Sequence, residues 1–409
     1  LSLANKVRET LGRQALNRRD HAQSEVQFQS LLSKPVSTPD NSLERANWYY
    51  LLALSQIGLD NLEQGLESLS ACLKLLPSVP SREPTESLDA WLRQHPPAST
   101  EVAARSVEEQ LREQARFAQA SVFVRQKQWA SALASQAEIL WANPDTRFRY
   151  ELLADRLRSH IALQDWAGWT IAAETAKTWL NLPEDMETTA VRRERTASEN
   201  LLMKSLTATA LTAAEYWYDR RDYAQAIGWF DMAALAPDEG IVEQALSGLA
   251  WAEFQTRPAG ESEATARLLM DRFINSPRSA EIGLKLVEQQ FRDGRDAAAD
   301  ELLRTLLNRF PTWSRRHQLL ALQAKLLARR SEPSAKIEAI EAWNAAIVSL
   351  ESAANATPEL QTQKSMAAAA YLYDLAWLQH DVGQMSLATQ AFEQIHLNHP
   401  KSRYWADAT

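Results

Sequence analysis

One short stretch of this sequence occurs twice. Residues 17–35 read NRRDHAQSEVQFQSLLSKP, and residues 219–237 read DRRDYAQAIGWFDMAALAP. The two align without a gap and share an Arg-Arg-Asp start, an Ala-Gln pair, a central Phe and a closing Pro. Such self-similarity indicates a repeat architecture, in which each unit supplies one piece of supersecondary structure. Because 409 residues exceed the size at which one hydrophobic core stops growing, several domains or an elongated array are expected.

The repeated units have the composition and spacing of helices. Glycine occurs only 11 times, below the roughly 7% of average usage, while Ala, Leu, Glu, Gln and Arg dominate. Small residues such as Ala132, Ala226 and Ala299 are followed one turn later by larger ones such as Phe230 and Leu303. Spacings of three and four residues keep them on one helical face, and a proline then ends the unit. This pattern predicts the second helix of a helix pair, whose alanine lets a neighbouring helix approach closely.

The units close at regular prolines, and the step from Pro277 to Pro311 is 34 residues. The best-matched units end at Pro35, Pro77, Pro144, Pro237, Pro311 and Pro400. This pattern resembles the tetratricopeptide repeat (TPR), whose period is about 34 residues. The match is weaker in the first helices, where Ala213, Ala214 and Trp217 stand in place of that family's Leu, Gly and Tyr. The resemblance implies an all-α solenoid of stacked antiparallel helix pairs, a TPR-like superhelix.

Two stretches interrupt the array. Residues 79–100 are rich in proline and are interpreted as a linker or lid with one short helix around Leu88–Arg93, and residues 185–199 are a polar connection. The predicted organisation is therefore N-terminal TPR-like helix pairs at 1–78, the linker or lid at 79–100, central TPR-like helix pairs at 101–184, the connection at 185–199 and a C-terminal TPR-like array at 200–409.

Charge and motifs argue against several functions. The formal net charge of −8 leaves no basic excess for neutralising phosphates, so nucleic acid is not expected as a partner. His396 and His399 have metal-ligand spacing but no third ligand nearby, and the single Cys72 forms no zinc–cysteine cluster. No hydrolase, nucleotide-binding or metalloprotease motif occurs, and no apolar run is long enough to span a membrane. We predict a chain that is not an enzyme and has no catalytic residue, metal or cofactor.

The TPR resemblance also implies where binding occurs. In that family the first helices line a concave groove that holds an extended peptide or a partner helix. In this register the groove positions are aromatic or charged, and they are Tyr50, Phe117, Tyr218, Glu215, Phe291, Arg292, Tyr373 and Trp377. Aromatic anchors with charged neighbours suit a protein partner. The alternative interpretation is that these rings pack between neighbouring repeats.

The predicted function is a non-catalytic scaffold that binds a peptide or partner protein in a concave helical groove. Two alternatives remain: the helical arm of a larger enzyme whose catalytic domain lies outside this chain, and a structural subunit that self-assembles into a homo-oligomer through the ends of the array.

The turns NSPRSAEIG, RFPTWSRRH and NHPKSRYWA resemble the repeats of bacterial periplasmic and outer-membrane assembly factors. Together with a first residue other than Met, they favour a periplasmic or membrane-associated setting over a cytoplasmic one. In these turns Ser279 and Ser402 are predicted N-caps of the helices that follow.

Overall fold

A computed structural model describes residues 3–33, 42–77, 88–94, 105–180, 196–256, 262–352 and 357–408. Within these ranges the chain forms nineteen α-helices, a short 3-10 turn at Ala406–Ala408 and no strand. The chain divides into two compact units: unit 1 comprises Leu1–Ala213 with Leu235–Ile241, and unit 2 comprises Ala214–Ala234 with Val242–Thr409.

Unit 1 is a stack of helix pairs with one additional short helix. Its helices are α1 (Leu3–Asn17), α2 (His21–Leu32), α3 (Ser42–Gly58), α4 (Leu62–Leu75), α5 (Leu88–Gln94), α6 (Val107–Arg125), α7 (Trp129–Ala142), α8 (Arg149–Ala162), α9 (Trp166–Trp179) and the first part of α10 (Ala197–Asp219). Consecutive helices pack as pairs, α1 with α2, α3 with α4, α6 with α7 and α8 with α9. The short helix α5, predicted around Leu88–Arg93, is present and packs against α9.

Unit 2 is also built from helix pairs. Its helices are the end of α10, α11 (Tyr223–Ala233), α12 (Glu239–Thr256, from Val242 onward), α13 (Glu263–Arg272), α14 (Pro277–Arg292), α15 (Asp296–Arg309), α16 (Arg316–Ala328), α17 (Pro333–Ser352), α18 (Pro358–Asp381) and α19 (Met385–Asn398). The pairs α14–α15, α16–α17 and α18–α19 pack closely. The predicted all-α class, a solenoid of stacked antiparallel helix pairs, is confirmed within each unit.

One turn geometry recurs between the two helices of a pair. The second residue after the first helix has a positive φ, between 56° and 83°, in each of these turns; the residues are Arg19, Asp60, Lys127, Gln164, Arg221, Gly294 and Gly383. The next residue donates its N–H to the carbonyl five residues earlier, as Asp222 does to Trp217 at 3.0 Å. This is the Schellman arrangement, which satisfies a carbonyl at the helix end and reverses the chain.

The repeated Arg-Arg-Asp stretch is one instance of this turn. Its second arginine, Arg19 or Arg221, takes the left-handed position. The aspartate then accepts the N–H of the third residue of the next helix, over 3.1 Å for Asp20 and 3.3 Å for Asp222. Both aspartates are therefore N-caps, and the same stretch occurs twice because it encodes a turn and an N-cap.

The small and large residues of the second helices form the core as predicted. Ala132, Ala226 and Ala299 are fully buried, and so are Leu303 and, almost completely, Phe230. The alanines leave room for the neighbouring helix, and the larger side chains fill the space one turn further on. Burial of this apolar surface is the main force that stabilises such a stack.

The proline-serine turns differ from the prediction at Ser279 and Ser402. Ser276 caps α14, accepting the N–H of Arg278 at 3.1 Å, and Pro277 is the first residue of that helix. Ser279 is instead buried inside α14, where its hydroxyl donates to the carbonyl of Phe273 at 2.7 Å. The prediction for Ser279 is wrong because a proline at the first helical position moves the cap one residue before it. Ser402 lies in the turn after α19 and caps no α-helix.

The predicted block boundaries stay a prediction. Most of the linker or lid at 79–100, apart from α5, and most of the connection at 185–199 lie outside the described residues. Within the part of the chain that the structure covers, no helix combines the length and apolarity needed to cross a bilayer.

Candidate functional site

The eight predicted groove residues all lie on first helices of pairs. Tyr50 is on α3, Phe117 on α6, Glu215 and Tyr218 on α10, Phe291 and Arg292 on α14, and Tyr373 and Trp377 on α18. The structure therefore brings them together only in small groups, each belonging to one or two neighbouring pairs. These groups differ in how much of each side chain is already engaged.

An open groove in unit 2, with a cavity of about 430 Å³, lies beside Glu215 and Tyr218. Its lining comes from α10, α11 and α12 and consists of Glu215, Tyr218, Asp219, Phe230, Gln244, Gly248 and Trp251. The cavity lies within the range of roughly 300–1,000 Å³ that is usual for ligand sites. We call this surface the α10–α12 groove.

Aromatic rings form one wall of the α10–α12 groove. The Phe230 ring of α11 is almost completely buried and meets the Tyr218 ring edge to face, with centroids 6.5 Å apart. Tyr218 also contacts Tyr223, at 5.3 Å between centroids. Trp251 of α12 is half-buried and meets the Phe254 ring edge to face, with centroids 6.1 Å apart and planes at 79°. The rings are therefore fixed before any partner arrives.

Gly248 determines how closely α12 approaches the Phe230 ring. A Cβ atom at this position would lie 2.3 Å from two carbons of that ring, closer than any real contact. Only glycine therefore allows α12 and Phe230 to occupy their present positions. The shape of the groove depends on this single missing methyl group.

The edge of the groove is acidic. Glu215 and Asp219 are both exposed, and they lie one helical turn apart on α10. The Glu215 side chain is exposed but partly screened from water by the groove, and this partial desolvation raises its pKa. The nearby Asp219 carboxylate raises the pKa further, while Arg278 acts in the opposite direction. Arg278 itself is engaged by Glu243, with Nη1 and Oε1 3.2 Å apart. The two groove carboxylates therefore repel each other without a close cation.

The predicted residues of unit 1 are more heavily packed. Phe117 stacks on Phe148, with centroids 4.0 Å apart and planes 7° apart, and the Arg147 guanidinium lies 4.6 Å from the Phe148 ring centre. Tyr50 packs against two buried clusters formed by α2, α3, α4 and α6. Burial raises the pKa of Tyr50, and Arg147 partly offsets this. These rings fit the alternative interpretation of packing between repeats.

Phe291 is covered by a residue from the next pair. The Arg329 guanidinium lies 3.5 Å from the centre of the Phe291 ring and donates hydrogen bonds to the Phe291 carbonyl at 3.0 Å and to Asp296 at 2.9 Å. Arg292 is exposed, and its Nε donates only weakly, over 3.4 Å, to the carbonyl of Glu288. Phe291 thus serves as a contact between repeats.

Tyr373 and Trp377 belong to an aromatic cluster on the last helix pair. The Tyr373 ring contacts Tyr404 at 4.7 Å, Phe392 at 6.0 Å and Trp377 at 6.2 Å between centroids. Trp377 is 46% exposed, so this cluster offers one open face.

The two histidines with metal-ligand spacing, His396 and His399, each contact a neighbouring side chain. His396 stacks on Trp405 at 4.7 Å, and Nδ1 of His399 lies 2.8 Å from the Ser365 hydroxyl. Among the described residues, no group of three or more His, Cys, Asp or Glu side chains could hold a metal ion.

The sequence predicts only two of the seven residues that line the α10–α12 groove, Glu215 and Tyr218. The other five are Asp219, Phe230, Gln244, Gly248 and Trp251. Trp251 could have been predicted from the sequence, because it lies on α12, the first helix of the next pair, just as the predicted Tyr218 lies on the first helix α10. Phe230 had been assigned to the core, and it is both buried and part of the wall.

No family model and no curated protein matches this chain. Among solved structures similar to it is the C-terminal part of a TPR repeat-containing protein from Cytophaga hutchinsonii, at 11% identity and a TM-score of 0.41, covering 71% of this chain and 98% of that one. A tetratricopeptide repeat protein from Parabacteroides merdae is 14% identical, with a TM-score of 0.35 and coverage of 78% and 98%. The APC/C hetero-tetramer Cut9–Hcn1 is 12% identical, with a TM-score of 0.35 and coverage of 98% and 88%. The helix pairs and their recurring turn, rather than these distant likenesses, identify a TPR-like helical repeat.

Proposed function

We propose that this chain is a non-catalytic protein-interaction scaffold that binds an extended peptide or a partner segment in the α10–α12 groove. The observation that carries this proposal is the preformed aromatic wall of Tyr218, Phe230 and Trp251 beside an open cavity of about 430 Å³. Rigid aromatic anchors in a formed pocket supply most of the binding free energy in such interfaces. Because the rings are held in place by neighbouring rings, binding requires little rearrangement.

The remaining predicted residues contribute less to this proposal. Phe291 and Phe117 are occupied by Arg329 and Phe148, so a partner would gain little further contact there. Tyr373 and Trp377 form a second aromatic surface, on the last helix pair. A bacterial periplasmic or membrane-associated setting, the absence of catalysis and the absence of nucleic-acid binding all stay predictions.

The experiment is selection of peptides from a random displayed library on the immobilised full chain, followed by affinity measurement for the selected peptides. Trp251→Ala is expected to weaken binding by about 10-fold to 100-fold, as expected for an interface anchor. Trp313→Ala is the matched control, since Trp313 is a half-buried tryptophan of the same unit that does not line the groove. Helical content of both variants is compared with the parent by circular dichroism.

Two results decide the proposal. Loss of binding in Trp251→Ala together with parent-like binding in Trp313→Ala supports the groove. Equal affinities for the parent and the folded Trp251→Ala variant would contradict it.

Exposed apolar side chains at both ends of the described chain favour self-association as a second candidate function. They lie on α1 and α19 and are Leu3, Val7, Leu11, Met385, Leu387 and Leu397. The first three follow one another at four-residue spacing and so form a single stripe. Sedimentation velocity over a wide concentration range tests this candidate. A sedimenting mass that rises with concentration in the parent but not in Leu397→Asp supports self-association, and a constant monomer mass contradicts it.

A further inference from the structure

We infer that the α10–α12 groove selects a basic segment, in which a Lys or Arg side chain lies along the aromatic wall and places its cation beside Glu215 and Asp219. This inference rests on the proposed function and specifies the chemistry of the partner. The occupant is therefore a peptide that carries a cation flanked by apolar residues.

The first argument for a basic partner is the negative charge at the edge of the groove. Glu215 and Asp219 stand at positions i and i+4 of α10, where like charges destabilise a helix. Within the described part of the chain, neither carboxylate takes part in an ion pair or a hydrogen bond. Two exposed, mutually repelling carboxylates at one edge of an aromatic groove are complementary to a single external cation.

Two arginines near the groove, Arg278 and Arg220, contact other groups. Arg278 approaches Glu243 to 3.2 Å, and it is the smallest of the influences on Glu215. The Arg220 guanidinium, which follows Asp219 in sequence, lies 3.6 Å from the centre of the Tyr216 ring. The edge of the groove therefore carries negative charge, and these two arginines are bound to groups other than Glu215 and Asp219.

The second argument for a basic partner is the aromatic wall of the groove. Tyr218 and Trp251 are half-buried rings within the groove. Tryptophan and tyrosine are the rings that attract a cation best, and the methylene stem of Lys or Arg covers apolar surface while its head stays in water. An acidic segment would instead meet Glu215 and Asp219 with like charge, and a purely apolar one would leave their repulsion unrelieved.

The experiment uses the full chain and the displayed library. Selected peptides are expected to be enriched in Lys or Arg next to aromatic or aliphatic residues. For one such peptide, the double variant Glu215→Gln, Asp219→Asn should bind about 5-fold to 20-fold more weakly, and its affinity should depend less on salt than that of the parent. Replacing the Lys of the peptide by norleucine should produce the same loss on the parent and almost none on the double variant.

Asp381→Asn is the matched control. Asp381 is the last residue of α18, just as Asp219 is the last residue of α10, and it is exposed but lies outside the groove. This variant should bind the peptide as the parent does. Circular dichroism of all variants confirms that they remain helical.

The outcomes separate the two proposals. Selection of neutral or acidic peptides whose binding still depends on Trp251 overturns the basic-segment inference and leaves the groove proposal standing. A basic peptide that binds the charge variant with parent affinity also overturns the inference. A library that gives no peptide dependent on Trp251 overturns both.

Discussion

Gly248→Ala is expected to destabilise unit 2 and distort the α10–α12 groove. The added Cβ would lie 2.3 Å from two carbons of the Phe230 ring and 2.9 Å from a third, and this ring is only 3% exposed. Overpacking of a buried site costs about 1–3 kcal/mol, and the rigid Phe230 ring places this case at about 3 kcal/mol. Replacing a helical glycine by alanine stabilises the helix by about 1 kcal/mol, which offsets part of this cost. The net destabilisation is therefore about 2 kcal/mol.

The measurement is urea denaturation followed by circular dichroism, combined with hydrogen exchange of the α11 and α12 amides, because a repeat array unfolds in parts. Gly228→Ala on α11 is the matched control. A Cβ there meets no atom within 4 Å, so this variant should gain about 1 kcal/mol. Adding Phe230→Leu to Gly248→Ala should recover part of the loss. A Gly248→Ala variant as stable as the parent, or more stable, would refute the close approach of α12 to Phe230.

Three further predictions concern the rest of the chain. Gly294→Ala should lower the free energy of unfolding by about 1 kcal/mol, because Gly294 has φ +71°. Arg221→Gly, at φ 63°, should leave the free energy of unfolding unchanged or raise it slightly, and thermal denaturation compares the two variants. Gln136→Met should stabilise by about 1–2 kcal/mol in urea denaturation, since Gln136 is fully buried and, within the described residues, neither amide atom has a hydrogen-bond partner. Burial, with Arg315 and Lys364 nearby, lowers the pKa of His317 to about 4. The unfolded chain therefore binds this proton more readily, so stability should fall by up to roughly 3 kcal/mol as pH drops from about 6.5 to 4, and urea denaturation of His317→Phe should lack this loss.

The fold could be predicted from the sequence because its determinants are local. The spacing of Ala226 and Phe230 reports one helical face, and Asp222 lies three residues before the N–H that it caps. The turn conformation was harder to predict, because Lys127 and Gln164 adopt positive φ without being glycines. At those positions the packing of the two helices imposes a conformation that the residue type alone disfavours.

The site was harder to predict because its determinants are not local. Phe291 met the expected pattern for a groove residue, yet Arg329, from the next helix pair, covers its ring. Trp251 and Tyr218 share a groove only because Gly248 lets α12 approach Phe230. Which aromatic residue is open and which is covered depends on the rotation between successive pairs, and the repeat pattern does not encode that rotation.

Site-specific photo-crosslinking tests the central claim most directly. Gln244 is exposed at the groove and can be replaced by p-benzoylphenylalanine, while Gln384, exposed in the turn before α19, provides the matched position outside it. With a peptide selected on the parent chain, the account predicts strong crosslinking from position 244, competition by unlabelled peptide and little crosslinking from position 384. Equal crosslinking from both positions, or crosslinking from 384 alone, would contradict binding in the α10–α12 groove.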